Sequence, residues 1–259
     1  MLDLNHARQV FANYLEQFDR EDGKIHLKIV HTEGVIRCVQ DICKRMELSE
    51  EDCRLAELIA LLHDIGRFEQ LRLYDSFEPA VMDHAAFGVE LLFGEQKMIR
   101  RFVAEDTWDH IIRQAIARHS DFSVGEGLSS RELLHACLIR DADKLDNCRV
   151  KLDEKMEVMI DCSAKEAGSQ AISEEVWNEC LEQSSIHAML RKTKMDYWVS
   201  YIAYFYDINY PETCEIILEN HFVDRIIGRI PYSNSDTERK MRRLKEMLLA
   251  WLKDKAASE

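Results

Sequence analysis

The stretch IALLHDIGRFEQ, residues 59–70, carries an aliphatic run into a histidine followed at once by an aspartate. An imidazole and a carboxylate in an apolar interior are costly unless hydrogen bonds or a bound charge compensate them. Gly66 reads as a helix C-cap, which sets Asp64 in a last turn, where the helix dipole opposes negative charge. A divalent cation would offset both costs, and imidazole and carboxylate are ligand types of zinc, iron and manganese sites. On this reading, removing Asp64 from the metal-free chain costs little stability or adds some.

Ten histidines are present, and what matters is which of them fall on apolar helix faces. His31 is in helical register with Val35, Cys38 and Ile42, and His63 with Ile59 and Leu55 or Ala56. His84 falls in line with Gly88, Leu91 and Leu92, and His119 with Ile112, Ala115 and Ile116. Asp143 follows Ala136 and Ile139, while Asp141 shares a stripe with Leu134, Leu138 and Leu145, so register alone leaves either aspartate as the inward one. One such histidine is explained by a single hydrogen-bond partner in a core. Several on separate helices, one of them joined to Asp64, point to shared cations. No HExxH pair is present, so a zincin-type site is excluded.

These residues need helices to position them. Prolines number three and glycines nine, period-2 alternation is scarce, and helical periodicity runs throughout, so the chain reads as all-α. Helices are expected at about 3–18, 26–46, 51–65, from 83 onward after Pro79, 107–119 and 129–148. Further ones are expected at 151–160, 173–182, 185–206, 211–229 and 236–254. Ser49 is the expected N-cap of the third. Ser129 or Ser130 caps the 129–148 helix with Glu132 as box partner, and Ser235 caps the last with Glu238. LAELIALL, apolar on nearly every side, marks the most buried helix. Residues 67–81, RFEQLRLYDSFEPAV, read as a long loop of the kind that is often functional. Beyond residue 150 charge density rises and titratable groups no longer interrupt apolar faces.

The ordered series His31, His63–Asp64, His84, His119, Asp143, with LLHDIGR as doublet and IRDADKLD as closing segment, resembles the HD-domain superfamily of metal-dependent phosphohydrolases. The resemblance covers roughly residues 26–148. It implies an HD-type helical bundle over 1–150 and a C-terminal helical extension over 151–259 packed on it. It further implies that His31, His63, Asp64 and Asp143 hold one divalent transition metal (manganese, iron, nickel or zinc). His84 and His119 would hold a second, with Asp64 bridging. Ser120 follows His119 and no Gly-Tyr-Pro tripeptide is present, which argues against the cyclic-dinucleotide-cleaving relatives. Arg67, three residues past the doublet, is placed to grip phosphate oxygens bidentately, against the plainer reading of a solvated arginine beyond a helix end. Asp64 and Arg67 are thus the expected catalytic residues, Arg67 also binding substrate.

Two metals suit in-line displacement at phosphorus, and the chain carries neither a GxSxG elbow nor a P-loop. The expected activity is hydrolysis of a phosphate ester or anhydride of a small molecule, a nucleotide first among them. The same ligand arrangement resembles di-iron oxygenases of the superfamily, and a non-catalytic nucleotide-sensing module is the third reading. A net charge of −14 speaks against a nucleic-acid polymer or an anionic membrane as partner. No apolar run nears the ~20 residues that span a bilayer. Eight cysteines without a CxxC pair, and an amphipathic charged N-terminus, read as free thiols in a cytoplasmic protein. A small phosphorylated substrate is the expected partner, and a homo-oligomer is left open. The basic run RKMRR at 239–243 reads as the exposed face of the last helix, and the aromatics of YFYDINYPE as core packing.

Overall fold

The computed structural model describes residues 2–78 and 80–258, and no strand occurs among them. The chain divides into two compact units, Met1–Asp146 and Asn147–Glu259. The first holds α1 (Leu4–Leu15), α2 (Gly23–Arg45), α3 (Glu50–Leu62), α4 (Ile65–Tyr74), α5 (His84–Phe93), α6 (Ile99–Phe102) and α7 (Asp109–Arg118). It also holds most of α8 (Ser130–Asp153). The second holds α9 (Met156–Ile160), α10 (Ala164–Ser169), α11 (Glu174–Leu181), α12 (Lys194–Ala203), α13 (Pro211–Glu219), α14 (Phe222–Ile227) and α15 (Ser235–Ala256).

In the first unit α3 is the central helix. It packs against α1, α2 and α7, and Leu55, Ala56, Leu58, Ile59, Ala60, Leu61 and Leu62 are all buried. Ser49 caps it by accepting from the Asp52 amide. Ser129 and Glu132 cap α8 reciprocally, the Ser129 amide donating to the Glu132 carboxylate at 2.7 Å.

The expected loop over 67–81 is a helix for most of its length. Ile65, Phe68 and Leu71 repeat at steps of three and are buried. Phe68 completes an aromatic cluster with Phe11, Tyr14 and Phe18, its ring centroid 5.6–6.3 Å from theirs. Tertiary packing of that one face overrides the polar residues between. α4 ends at Asp75, which adopts a left-handed conformation with φ 48°. Pro79 lies outside the described residues.

Gly66 is therefore not a C-cap. It sits in the first turn of α4, where a Cβ would lie 2.2 Å from the His84 carbonyl oxygen and 2.7 Å from the Gly88 nitrogen. The missing side chain lets α4 and α5 touch backbone to backbone. α3 ends at His63, and Asp64 stands at the N-cap position of α4.

In the second unit α12 packs on α9, α10, α11 and α14, while α13 packs on α14 and α15. The helix expected over 185–206 is interrupted. A 3₁₀ turn occupies Ala188–Leu190, and α12 begins only after Thr193, in a capping box with Asp196. The Asp196 carboxylate is fully buried because backbone amides satisfy it: those of Ser173, Lys192 and Thr193 donate to it at 2.9–3.0 Å. The helix expected over 211–229 breaks at His221, whose φ is 52°. Asn234, not Ser235, caps α15, accepting from the amides of Asp236 and Thr237. Within RKMRR the four cations are paired with acidic neighbours and only Met241 is buried. Phe205 and Tyr206 of YFYDINYPE are buried. All eight cysteines are free, and no described helix is long and apolar enough to cross a membrane.

Gly66→Ala forces the α4–α5 backbone contact apart. Denaturant unfolding should show a loss of about 1–3 kcal/mol, the usual range for overpacking. An unchanged midpoint would mean that the contact is not tight.

Candidate metal centre

His63 and His119 are placed by the same local device. Each is the C-cap of its helix, α3 or α7, and each turns its Nδ1 back to the carbonyl three residues earlier. The His63 Nδ1–H donates to Ala60 O at 2.8 Å, and the His119 Nδ1–H to Ile116 O at 2.7 Å. A carbonyl only accepts, so the proton is on Nδ1 and the Nε2 lone pair points away from the helix. The bond also satisfies one of the carbonyls that a helix end leaves unpaired.

These lone pairs converge on Asp64. Its Oδ2 lies 3.5 Å from His63 Nε2, and its Oδ1 lies 3.3 Å from His84 Nε2 and 3.6 Å from His119 Nε2. His31, His63 and Asp64 present ligand atoms that all lie within 4.8 Å of one another, and so do Asp64, His84 and His119. Asp64 belongs to both groups. Asp143 reaches the cluster, its Oδ1 2.9 Å from His31 Nε2. All the sequence-predicted ligands thus meet in one place, buried except for Asp143, whose side chain is 24 % exposed.

The donor set suits divalent metal. The His63 Nε2 atom is buried and has no hydrogen-bond partner. His84 Nε2, which accepts from Arg67 Nη2 at 3.0 Å, stands 3.0 Å from the His119 Nε2 lone pair. With the His119 proton on Nδ1, the two ε nitrogens are close enough to ligate a common cation. Burial pushes the His63 and His84 pKa values down to about 4, so both rings are neutral, as ligands must be.

The remaining neighbours were not legible from the ligand pattern. Burial alone would raise the Asp64 pKa, but the Lys28 ammonium, in direct contact with Oδ2, together with the histidines holds it well below the usual carboxylate range. Lys28 precedes His31 by three residues, one turn away on the same face of α2. Asp64 also stands at the start of α4, where the dipole of that helix favours it. The expectation of an uncompensated charge is therefore overturned.

Arg67 is not a solvated arginine. Its side chain is only 14 % exposed. Nη1 donates to Gln70 Oε1 at 2.6 Å and to Phe77 O at 3.1 Å, and the Phe77 ring lies 5.9 Å from the guanidinium carbon. Arg140, on α8, donates to the carbonyls of Arg118 and Asp121 at 2.8 and 2.6 Å and so braces the end of α7 that carries His119.

Asp146 accepts from the His31 Nδ1–H at 2.8 Å, the carboxylate–histidine arrangement that orients a metal-binding imidazole. Gly34 makes room for it: a Cβ there would lie 1.9 Å from Asp146 Oδ1. The signal was the three-residue step from Asp143 to Asp146, one turn along α8. Burial and Lys28 oppose a charge on His31, but the hydrogen bonds to Asp143 and Asp146 outweigh them and raise its pKa.

The first unit thus carries buried imidazoles and carboxylates in two overlapping groups that could hold metal. Residues 29–148 match the HD domain family model, which supports membership of the HD-domain superfamily. Neither the curated proteins nor the solved structures contain a match.

Two outcomes are expected. Asp64→Ala strands Lys28 in a buried position, so the metal-free variant should unfold with about 3 kcal/mol less stability than metal-free wild type; equal or greater stability in chelator would contradict the pairing. Metal must also displace a proton from His31. Because that pKa is raised, the proton is held at pH 6.5 and somewhat above, so metal affinity should rise as pH increases from 6.5 and level off once His31 is neutral. Asp146→Asn should move that rise to lower pH and weaken affinity about 10–100-fold. Calorimetric metal titrations across this range check both, and a flat wild-type profile would count against the His31 assignment.

Proposed function

We propose that this chain is a phosphohydrolase that uses two divalent transition metals to cleave a phosphate ester or anhydride of a small molecule, with nucleotides the leading class. The observation that carries this reading is that Asp64 is shared by two ligand groups, with its carboxylate flanked by Lys28 and Arg67. In this reading His31, His63, Asp64 and Asp143 hold one ion, and Asp64, His84 and His119 the other. Bound cations of this kind polarise phosphoryl oxygens and make water a usable nucleophile near neutral pH.

The chain's own groups do the rest. His63 and His119 present fixed lone pairs, because their tautomers are locked by their own helix ends. Lys28 and Arg67, both mostly buried, supply positive charge beside Asp64 for an incoming phosphate. The Arg67 Nη2–H, which donates to His84 Nε2, becomes free for a phosphate oxygen once that lone pair is engaged elsewhere. Gln70 and the Phe77 carbonyl hold the other side of the fork, so Arg67 is oriented before substrate arrives. Hydrolysis then forms one P–O bond to the attacking water and breaks one to the leaving group. The buried side chains exclude further water.

The test joins elemental analysis of the purified protein to a hydrolysis screen over nucleotides and sugar phosphates with manganese, iron or nickel. Metal-dependent phosphate release is expected. Arg67→Met should raise KM more than it lowers kcat and reduce kcat/KM about tenfold or more, the worth of a charge-assisted hydrogen bond. Near-stoichiometric iron with substrate-dependent oxygen uptake would replace this reading with a di-iron oxygenase. A tightly retained nucleotide without turnover would replace it with a sensing module.

A further inference from the structure

The second unit contains a cation that its fold does not neutralise. Arg191 lies between the 3₁₀ turn at Ala188–Leu190 and the start of α12, and it is only partly exposed. Its guanidinium carbon lies 5.1 Å from the Tyr197 ring centroid and 5.9 Å from that of Tyr201. Among the described residues its guanidinium has no hydrogen-bond acceptor and no ion pair, and its Nε is buried without a partner. This occurs in a chain with 48 acidic residues against 34 basic ones, so a missing carboxylate is not for want of supply. Contact with aromatic faces attracts a cation but does not replace the hydrogen bonds lost on desolvation.

Other positive charge gathers at the same rings. The Lys194 ammonium lies 5.8 Å from the Tyr197 centroid, and that of Lys151 5.7 Å from the Tyr201 centroid. Among the described residues Lys194 pairs only with Asp161, whose side chain is 95 % exposed, and such a surface pair is weak. The backbone here is rigid. The Asp196 carboxylate accepts from the amides of Lys192 and Thr193, immediately after Arg191. The main chain that carries the arginine is therefore anchored.

We propose that Arg191, with Lys194 and the Tyr197 and Tyr201 rings, forms an anion site in the second unit for the phosphate group of a small molecule. With Nε buried, the Nη1 and Nη2 edge of the fork is the part left to bind, and it matches two oxygens of a tetrahedral oxyanion. Lys194, at the same Tyr197 ring, adds positive charge that favours a multiply charged phosphate over a single carboxylate. A carboxylate, with two oxygens, satisfies only the fork. The site is built from residues of the second unit alone and needs no metal.

Calorimetry on the full chain in chelator tests this, with inorganic pyrophosphate as probe, acetate as the carboxylate comparison, and salt at about 0.05 and about 0.3 M to vary screening. Saturable pyrophosphate binding that weakens with salt is expected. Arg191→Met should weaken it about tenfold or more, whereas Arg67→Met, at the other centre, should leave it unchanged. Should Arg191→Met fail to fold, Arg191→Lys and Lys194→Met carry the test, each with a loss of roughly three- to fivefold. The proposal is overturned if wild type shows no saturable binding, if the Arg191 and Lys194 variants bind as wild type does, if Arg67→Met abolishes binding, or if acetate binds as tightly as pyrophosphate.

Discussion

The first unit is organised around one buried negative charge. Asp64 stands where α3 ends and α4 begins, and it has little access to water. A carboxylate in that position has to be surrounded by positive charge or by hydrogen-bond donors. Lys28 comes from α2, His63 from the end of α3, Arg67 from α4, His84 from α5 and His119 from the end of α7. Each of these helices is tied to the others through a group that Asp64 holds near it. The same arrangement leaves imidazole lone pairs pointing at the carboxylate, which is the chemistry a divalent cation uses.

Precision at the centre comes from helix ends and close backbone contact rather than from long loops. His63 and His119 each spend one ring nitrogen on a carbonyl of their own last turn, so their orientation is set within their own helix rather than by a contact across helices. Gly66 and Gly34 act differently: each removes a side chain where another group has to come close, the His84 backbone in one case and the Asp146 carboxylate in the other. Tyr14 adds a further brace by donating to the Ile65 carbonyl at 3.1 Å, directly after Asp64. Supports of this kind hold ligands in place without the ligands paying the ordering cost themselves.

The second unit shows how a buried charge is handled without any counterion. Asp196 is enclosed completely, and backbone amides meet its needs. Arg191, a few residues earlier, has aromatic faces but no such acceptors. The contrast within one short segment singles out the arginine as the group whose requirements lie outside the fold.

Much of this was legible along the chain. Helical periodicity defined the all-α class, and the registers of His31, His63, His84 and His119 marked them as inward-facing, because a repeat of 3.6 residues fixes which side of a helix a residue occupies. Where packing or capping competes with local pattern, the chain alone misled. The residues after Gly66 suggested a loop, yet burial of Phe68 makes them a new helix, α4, as far as Tyr74. Thr193 and Asp196 divided what periodicity joined. Periodicity also left Asp141 and Asp143 equivalent. Choosing between them took the approach of His31 from α2, and recognising Lys28 and Asp146 took the same convergence. The sequence by itself determined which residue types lie on which helix face, since that is a property of a single helix. Which of them touch across helices was decided only by tertiary structure, because the distance between two side chains far apart in the chain depends on how every helix between them packs.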